Sequence, residues 1–182
     1  MAEIKKWKRI HRVKVLDHPR MKLVEDTVEL PNGHRTTYLR QLPATHHSAA
    51  ALAINAEGKI LVQREYSYPP DEVLYQLPGG GMEPDETPEQ GALRELAEEA
   101  GYTATNCRVL GYTYPDNRRS DIRQYVVECR NLSEHDIPGD PEEFLEHIWL
   151  TREEIADLVR AGKVRNMHML AALQMFDAQS RE

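Results

Sequence analysis

Residues 79–102 read GGGMEPDETPEQGALRELAEEAGY. The spacing predicts a helix over Pro88–Ala100. Thr87 is a good N-cap, Pro88 suits the first helical position, and Gln90 can close a capping box. Gly101 is placed to end the helix in a left-handed conformation. At 100° per residue, Leu93, Leu96, Ala97 and Ala100 form an apolar face that must pack against the body. Glu95, Glu98 and Glu99 fall within an arc of about 100° on the opposite side. Carboxylates four residues apart repel one another. A solvated acidic helix would tolerate this. A bound divalent cation would explain it better, because clustered hard oxygen ligands suit Mg²⁺ or Mn²⁺.

Outward from this stretch, the chain has 182 residues, which fits one domain plus a small appendage. It is 40% hydrophobic and 29% charged, an ordinary composition for a folded soluble protein. No apolar run approaches the length of a membrane span. The N-terminal Met1 to Lys8 is too charged for the apolar core of a signal peptide. Cys107 and Cys129 cannot build a disulfide framework and read as reduced, buried thiols, so a cytoplasmic location is expected. Thirty acidic groups against 23 basic ones argue against nonspecific binding to a nucleic-acid backbone. The charge is uneven. Residues 1–40 hold ten Lys or Arg against five acids, a net of +5, and the remainder carries −12. The basic segment is either a solvated strand or an arm that meets an acidic surface or anionic ligand.

Strands are expected at 9–16, 22–30 and 36–39, with a turn at Pro31-Asn32-Gly33. Residues 1–42 therefore read as a small antiparallel sheet, too polar to hold a core alone. An apolar hairpin is expected from Ala49–Ile54 and Ile60–Val62, with further strands at 73–77, 108–114, 122–129 and 148–150. Helices are expected at 88–100, 153–161 and 167–177. This order predicts an α+β fold, an α/β/α sandwich over 43–182 with an N-terminal antiparallel β-sheet. No Ser-His-Asp or Cys-His arrangement stands out, and the eight histidines lack metal-ligand spacing.

The pattern Gly80, Glu86, Arg94, Glu95, Leu96, Glu98, Glu99, Gly101 resembles the Nudix hydrolase signature, G-x5-E-x7-R-E-U-x-E-E-x-G-U, in register; Tyr102 stands at the last apolar position. Chance agreement at one site is roughly one in a billion, given usage of about 5–7% per residue type. The resemblance implies that Glu95, Glu98 and Glu99 hold Mg²⁺, with Mn²⁺ able to substitute, and that the Gly79 carbonyl completes the shell. Arg94 and Glu86 would orient these acids. Glu98 would be a ligand or a water-activating partner. The implied reaction is hydrolysis of a pyrophosphate joining a nucleoside to another moiety.

Beyond this box, Val28 to Gly33, Leu61 to Pro69, and Leu77-Pro78-Gly79-Gly80 resemble the ADP-ribose and nucleoside-diphosphate-sugar pyrophosphatase branch. Ser67 stands where many ADP-ribose hydrolases have an arginine, which leaves room for hexose substrates such as GDP-mannose. The branch implies a loop acid acting as metal ligand or general base. Glu143 best fits that place, with Glu142 and Glu146 as neighbours. Arg64 and Tyr114 are expected to bind substrate, and Trp7 either packs or stacks a nucleobase. A homodimer through residues 1–42 is also implied, with a small-molecule substrate and neither nucleic acid nor membrane as partner. The resemblance leaves two other readings, a hydrolase of RNA 5′ ends or dinucleoside polyphosphates, and a non-catalytic nucleotide sensor.

Overall fold

The structure, a computed structural model, describes residues 4–42, 47–135 and 144–180. The chain divides into two units, one of residues 1–44 with 116–122, the other of 45–115 with 123–182.

In the first unit, Lys8–His18 (β1), Met21–Glu29 (β2) and Arg35–Leu42 (β3) pair antiparallel in the order β1-β2-β3. Gly33, at φ +84°, makes the turn into β3 that a side chain would resist. Alternation on β2 buries Val24, Asp26 and Val28 on one face. A lone carboxylate in that row would be costly. Arg12, opposite Asp26 on β1, answers it with two hydrogen bonds of 2.6 and 2.7 Å. The 116–122 loop joins this unit through the Gln41 N–H, which donates to the Arg119 carbonyl at 2.7 Å, and through the Arg40–Asp121 ion pair.

The second unit is built around Ser48–Ala53 (β4), whose five residues 49–53 are buried. Ile60–Ser67 (β5), Glu72–Gln76 (β6), Gly79–Gly81 (β7), Tyr102–Thr113 (β8), Gln124–Glu134 (β9) and Leu145–Leu150 (β10) complete two sheets, ordered β7-β4-β9-β8 and β10-β5-β6. The helices are Pro88–Ala100 (α1), Arg152–Arg160 (α2) and Met167–Gln179 (α3). Ala49, Ala51 and Ala53 pack with Ala92, Leu96 and Val127 on the α1 side. Ala50 and Leu52 pack with Ile60, Val62, Ile155 and Met169 on the α2 and α3 side. This is the α/β/α layering, and the small alanines let α1 approach β4 closely.

The expected hairpin of residues 49–54 with 60–62 does not form. One isolated bridge, Ile54 to Ile60, joins them, and then β4 and β5 enter different sheets. Burial of β4 on both faces is the cause: it takes β9 as a parallel neighbour, where a two-stranded hairpin would leave one edge open. Strand β7 was not foreseen, because three glycines carry no strand signal. Cys107 and Cys129 are free and face each other across β8 and β9 with sulfurs 3.5 Å apart. Among the described residues no helix is long and apolar enough to cross a membrane.

Candidate active site

The start of α1 is locked as its residues dictate. The Thr87 side chain accepts from the Gln90 N–H at 3.3 Å, and the Gln90 side chain accepts from the Thr87 N–H at 2.9 Å. Gly101 ends the helix at φ +70°. Between β7 and this cap, the Glu86 carboxylate accepts from the Glu83 N–H at 2.7 Å and from Arg94 Nε at 2.9 Å. The Arg94 guanidinium holds the Glu86 carboxyl below the usual carboxylate range.

Arg94 is the hub. Besides Glu86, it donates to the Gly81 carbonyl at 2.7 Å, and its Nη1 donates to both Glu95 and Glu98 at 2.9 Å. One guanidinium thereby ties β7, the loop and two turns of α1 together. Its hydrogen bond with Glu86, chiefly, pushes its own pKa further up, so it stays charged at any working pH. Glu99 faces another way. Its carboxylate accepts from the Gly79 N–H at 2.8 Å and from the Gln63 amide at 3.2 Å.

The acidic side of α1 is therefore not a solvated face. The Glu95 side chain is only 12% exposed, and Glu98 is 43% exposed. Two glycines make this possible. A Cβ on Gly80 would lie 2.7 Å from Glu95 Oε1, so only a bare backbone lets that carboxylate lie against β7. A Cβ on Gly79 would lie 2.4 Å from the Ala49 carbonyl oxygen, in the β4 backbone itself.

Three carboxylates share one guanidinium here, and Glu99 adds a fourth negative charge on the same helix, so the acids exceed Arg94 by three charges. The donors are all hard oxygens, and those of Glu95 and Glu98 already converge on one cationic nitrogen. This chemistry fits a divalent cation of the magnesium type. Among the described residues, no three His, Cys, Asp or Glu side chains are gathered around one point.

The other expected site residues have contacts of their own or lie outside the described residues. Glu143 and Glu142 lie outside the described residues. Glu146, on β10, accepts from Arg64 Nη1 at 2.6 Å. Arg64 also lies over the Tyr75 ring, on the face of β5 opposite Gln63, and its buried Nε has no partner. Tyr114, 44% exposed, meets Tyr112 edge-on at 5.6 Å, and the Arg123 guanidinium sits 4.7 Å from the Tyr112 ring centre. Trp7, 52% exposed, belongs to the first unit and meets Tyr38 edge-on at 6.0 Å.

Sequence reasoning missed Gln63. It is fully buried, orients Glu99, and leaves its Oε1 without a partner. The signal was a lone amide closing the apolar run Ile60-Leu61-Val62. It also missed Gly81, whose carbonyl anchors Arg94 but which stands at an unspecified position of the signature.

Comparison with known proteins agrees with this geometry. The NUDIX domain family matches residues 44–173. The ADP-ribose pyrophosphatase of Bacillus subtilis (strain 168) is 33% identical over 153 residues, 83% of this chain and 81% of that protein. The methanol dehydrogenase activator of Bacillus methanolicus is 31% identical over 161 residues, covering 87% of this chain and 86% of its own length. In fold, the chain is similar to the crystal structure of an ADP compounds hydrolase, with a TM-score of 0.86 at 19% identity, over 100% of this chain and 97% of that one. With the signature residues knitted into one network and the family matched over most of its length, the chain belongs to the Nudix family.

Proposed function

We propose that this Nudix hydrolase cleaves the pyrophosphate bond of nucleoside diphosphate sugars, ADP-ribose or a hexose analogue, giving a nucleoside monophosphate and a sugar phosphate. The observation that carries this reading is the Arg94 hub with Glu86, Glu95 and Glu98, set beside Glu99 on the Gly79 N–H. The similarity to an ADP-ribose pyrophosphatase over most of both chains supports the substrate class.

Glu95, Glu98, Glu99 and the Gly79 carbonyl would hold Mg²⁺, or Mn²⁺ in its place. An ion so held supplies neutralisation of pyrophosphate charge and acidification of water. The chain's own residues do the rest. Arg94 keeps Glu95 and Glu98 in place, and Gln63 and the Gly79 N–H fix Glu99, so no reorganisation is needed when the substrate arrives. Glu143 or Glu98 takes the proton from the attacking water. The water oxygen bonds to one phosphorus as the bridging P–O bond breaks, and the departing phosphate leaves on its own oxygen. Arg64 and Tyr114 would hold the substrate, with Trp7 against its base. Residues 1–42 would join two copies as a homodimer, and residues 43–182 would carry the catalysis, in the cytoplasm, on a small molecule and without nucleic acid or membrane.

The test is a panel of ADP-ribose, ADP-glucose, GDP-mannose, UDP-glucose and capped RNA, assayed with and without Mg²⁺. Magnesium-dependent turnover of one or more nucleotide sugars is expected. Turnover of capped RNA alone would overturn the substrate class.

A further inference from the structure

Strands β5 and β10 pair antiparallel, and their register sets Leu61 opposite Trp149, Val62 opposite Ile148 and Gln63 opposite His147. Side chains alternate along both strands, so each such pair shares one face of the sheet. Leu61 and Trp149 pack with Ala92 and Leu96 of α1, while Val62 and Ile148 pack with Ile155 and Met169 on the other side. Gln63 and His147 therefore stand together on the α1 face. Gln63 bears this out by reaching Glu99 of α1.

This pair carries two buried atoms without partners. Gln63 spends an amide N–H on Glu99 at 3.2 Å, and its Oε1 is buried and unanswered. His147 Nε2 is buried and unanswered as well. Among the described residues four buried side-chain atoms lack a partner, and only these two belong to residues that face each other across a ladder. The great majority of buried polar groups are paired, with protein or with water. An amide oxygen accepts, and a ring nitrogen that carries the proton donates, so the two are complementary. Burial pushes the imidazole pKa down, which keeps the ring neutral with one N–H to place. With Nε2 unpartnered, His147 touches no carboxylate of the site through that nitrogen, and its route to Glu99 runs through the Gln63 amide.

We propose that His147 is a positioning residue for Glu99. Its Nε2–H donates to Gln63 Oε1, directly after a turn of the ring or through one bridging water. The Gln63 amide is then held at both ends, with its NH₂ committed to Glu99, and each bond polarises the amide in favour of the other. The inference rests on the reading of Glu99 as a metal-holding carboxylate and adds the residue that stands behind it.

Manganese binding to the full-length protein, followed by the EPR signal of free Mn²⁺, tests this without turnover. Removing a group that directly orients a metal ligand costs about 10-fold to 100-fold in affinity. Gln63→Leu should therefore weaken Mn²⁺ binding about tenfold, and His147→Leu, one bond further out, about threefold to fivefold. His147→Gln, whose amide N–H takes the place of Nε2–H, should bind within about twofold of wild type. The double variant of Gln63→Leu with His147→Leu should bind no more weakly than Gln63→Leu alone, since His147 acts only through Gln63. Thermal melting checks the fold, and His147→Phe, which fills the space of the ring, replaces His147→Leu if that variant does not fold. With a nucleotide sugar that wild type cleaves, kcat should follow the same order while KM stays in place. Unchanged Mn²⁺ affinity in the folded variant, equal weakening by His147→Gln, or full additivity in the double variant would overturn the inference. Wild type that binds no Mn²⁺ would remove the metal reading and the inference with it. The expected Mn²⁺ pattern without cleavage of any nucleotide sugar would remove the substrate reading alone and leave the role of His147 standing.

Discussion

Glu99 is gripped from two sides, by a backbone N–H of β7 and by the amide of buried Gln63. Glu99→Gln keeps the shape but removes the charge and sets an NH₂ among donors. kcat should fall by roughly 10²–10³ while KM and the fold change little, as expected when an interaction made in the transition state is lost. Steady-state kinetics with thermal melting check this, and full turnover would contradict it. Gly80→Ala acts on Glu95 through space alone. The added methyl would meet the Glu95 carboxyl at 2.7–2.9 Å, and a carboxyl at the end of a flexible chain can swing away. The fold should survive with Tm within a few degrees, and kcat should drop by about tenfold or more because the displaced carboxylate no longer stands in place. Glu86 supplies a pH test. Its folded pKa lies below its unfolded value of about 4.3, so its stabilisation is present above that value and is lost as pH falls through the folded pKa. The Tm gap between wild type and Glu86→Gln should be constant from pH 8 to 6 and shrink below about pH 4, and a gap that widens in acid would refute the pairing.

Among the elements, β1 and β2 depend on one another through the Arg12–Asp26 pair, in which the Asp26 side chain is only 7% exposed. Arg12→Ala orphans that carboxylate and should cost about 3 kcal/mol, the low end for an unpaired buried charge, since Arg12 itself is partly exposed. Urea denaturation reads this directly, and a loss under about 0.5 kcal/mol would show that water reaches Asp26. The elements also show what was legible beforehand. Helix α1 was readable to the residue, because Thr87, Pro88, Gln90 and Gly101 act within their own turns. The network on Arg94 was readable only as a signature; that it runs through the carbonyl of Gly81 and that Glu95 rests on Gly80 are consequences of β7, which has no local code. The pairing of β4 with β9 joins residues some 75 positions apart, and no hydrophobic period announces a partner at that distance. His168 was invisible for the same reason. Its Nδ1 is buried without a partner, a state that α3 acquires only after packing.

For the whole molecule, residues 1–42 raise the question of assembly. Val13, Val15, Leu16 and Leu39 remain more than a third exposed on strands of the first unit, apolar surface that a second copy would cover. Light scattering of the full chain at micromolar concentration should give a dimer. Removal of residues 1–40 should give monomers or aggregates with weaker substrate binding, although every signature residue remains, and a monomeric full-length chain would contradict this. The central claim is chemical and has its own measurement. Phosphorus NMR of ADP-ribose incubated with the protein and Mg²⁺ should show the pyrophosphate signals replaced by those of AMP and ribose 5-phosphate in equal amounts, with no change when chelator is in excess. Persistence of the pyrophosphate with every nucleotide sugar tried, or the same cleavage in chelator, would contradict it.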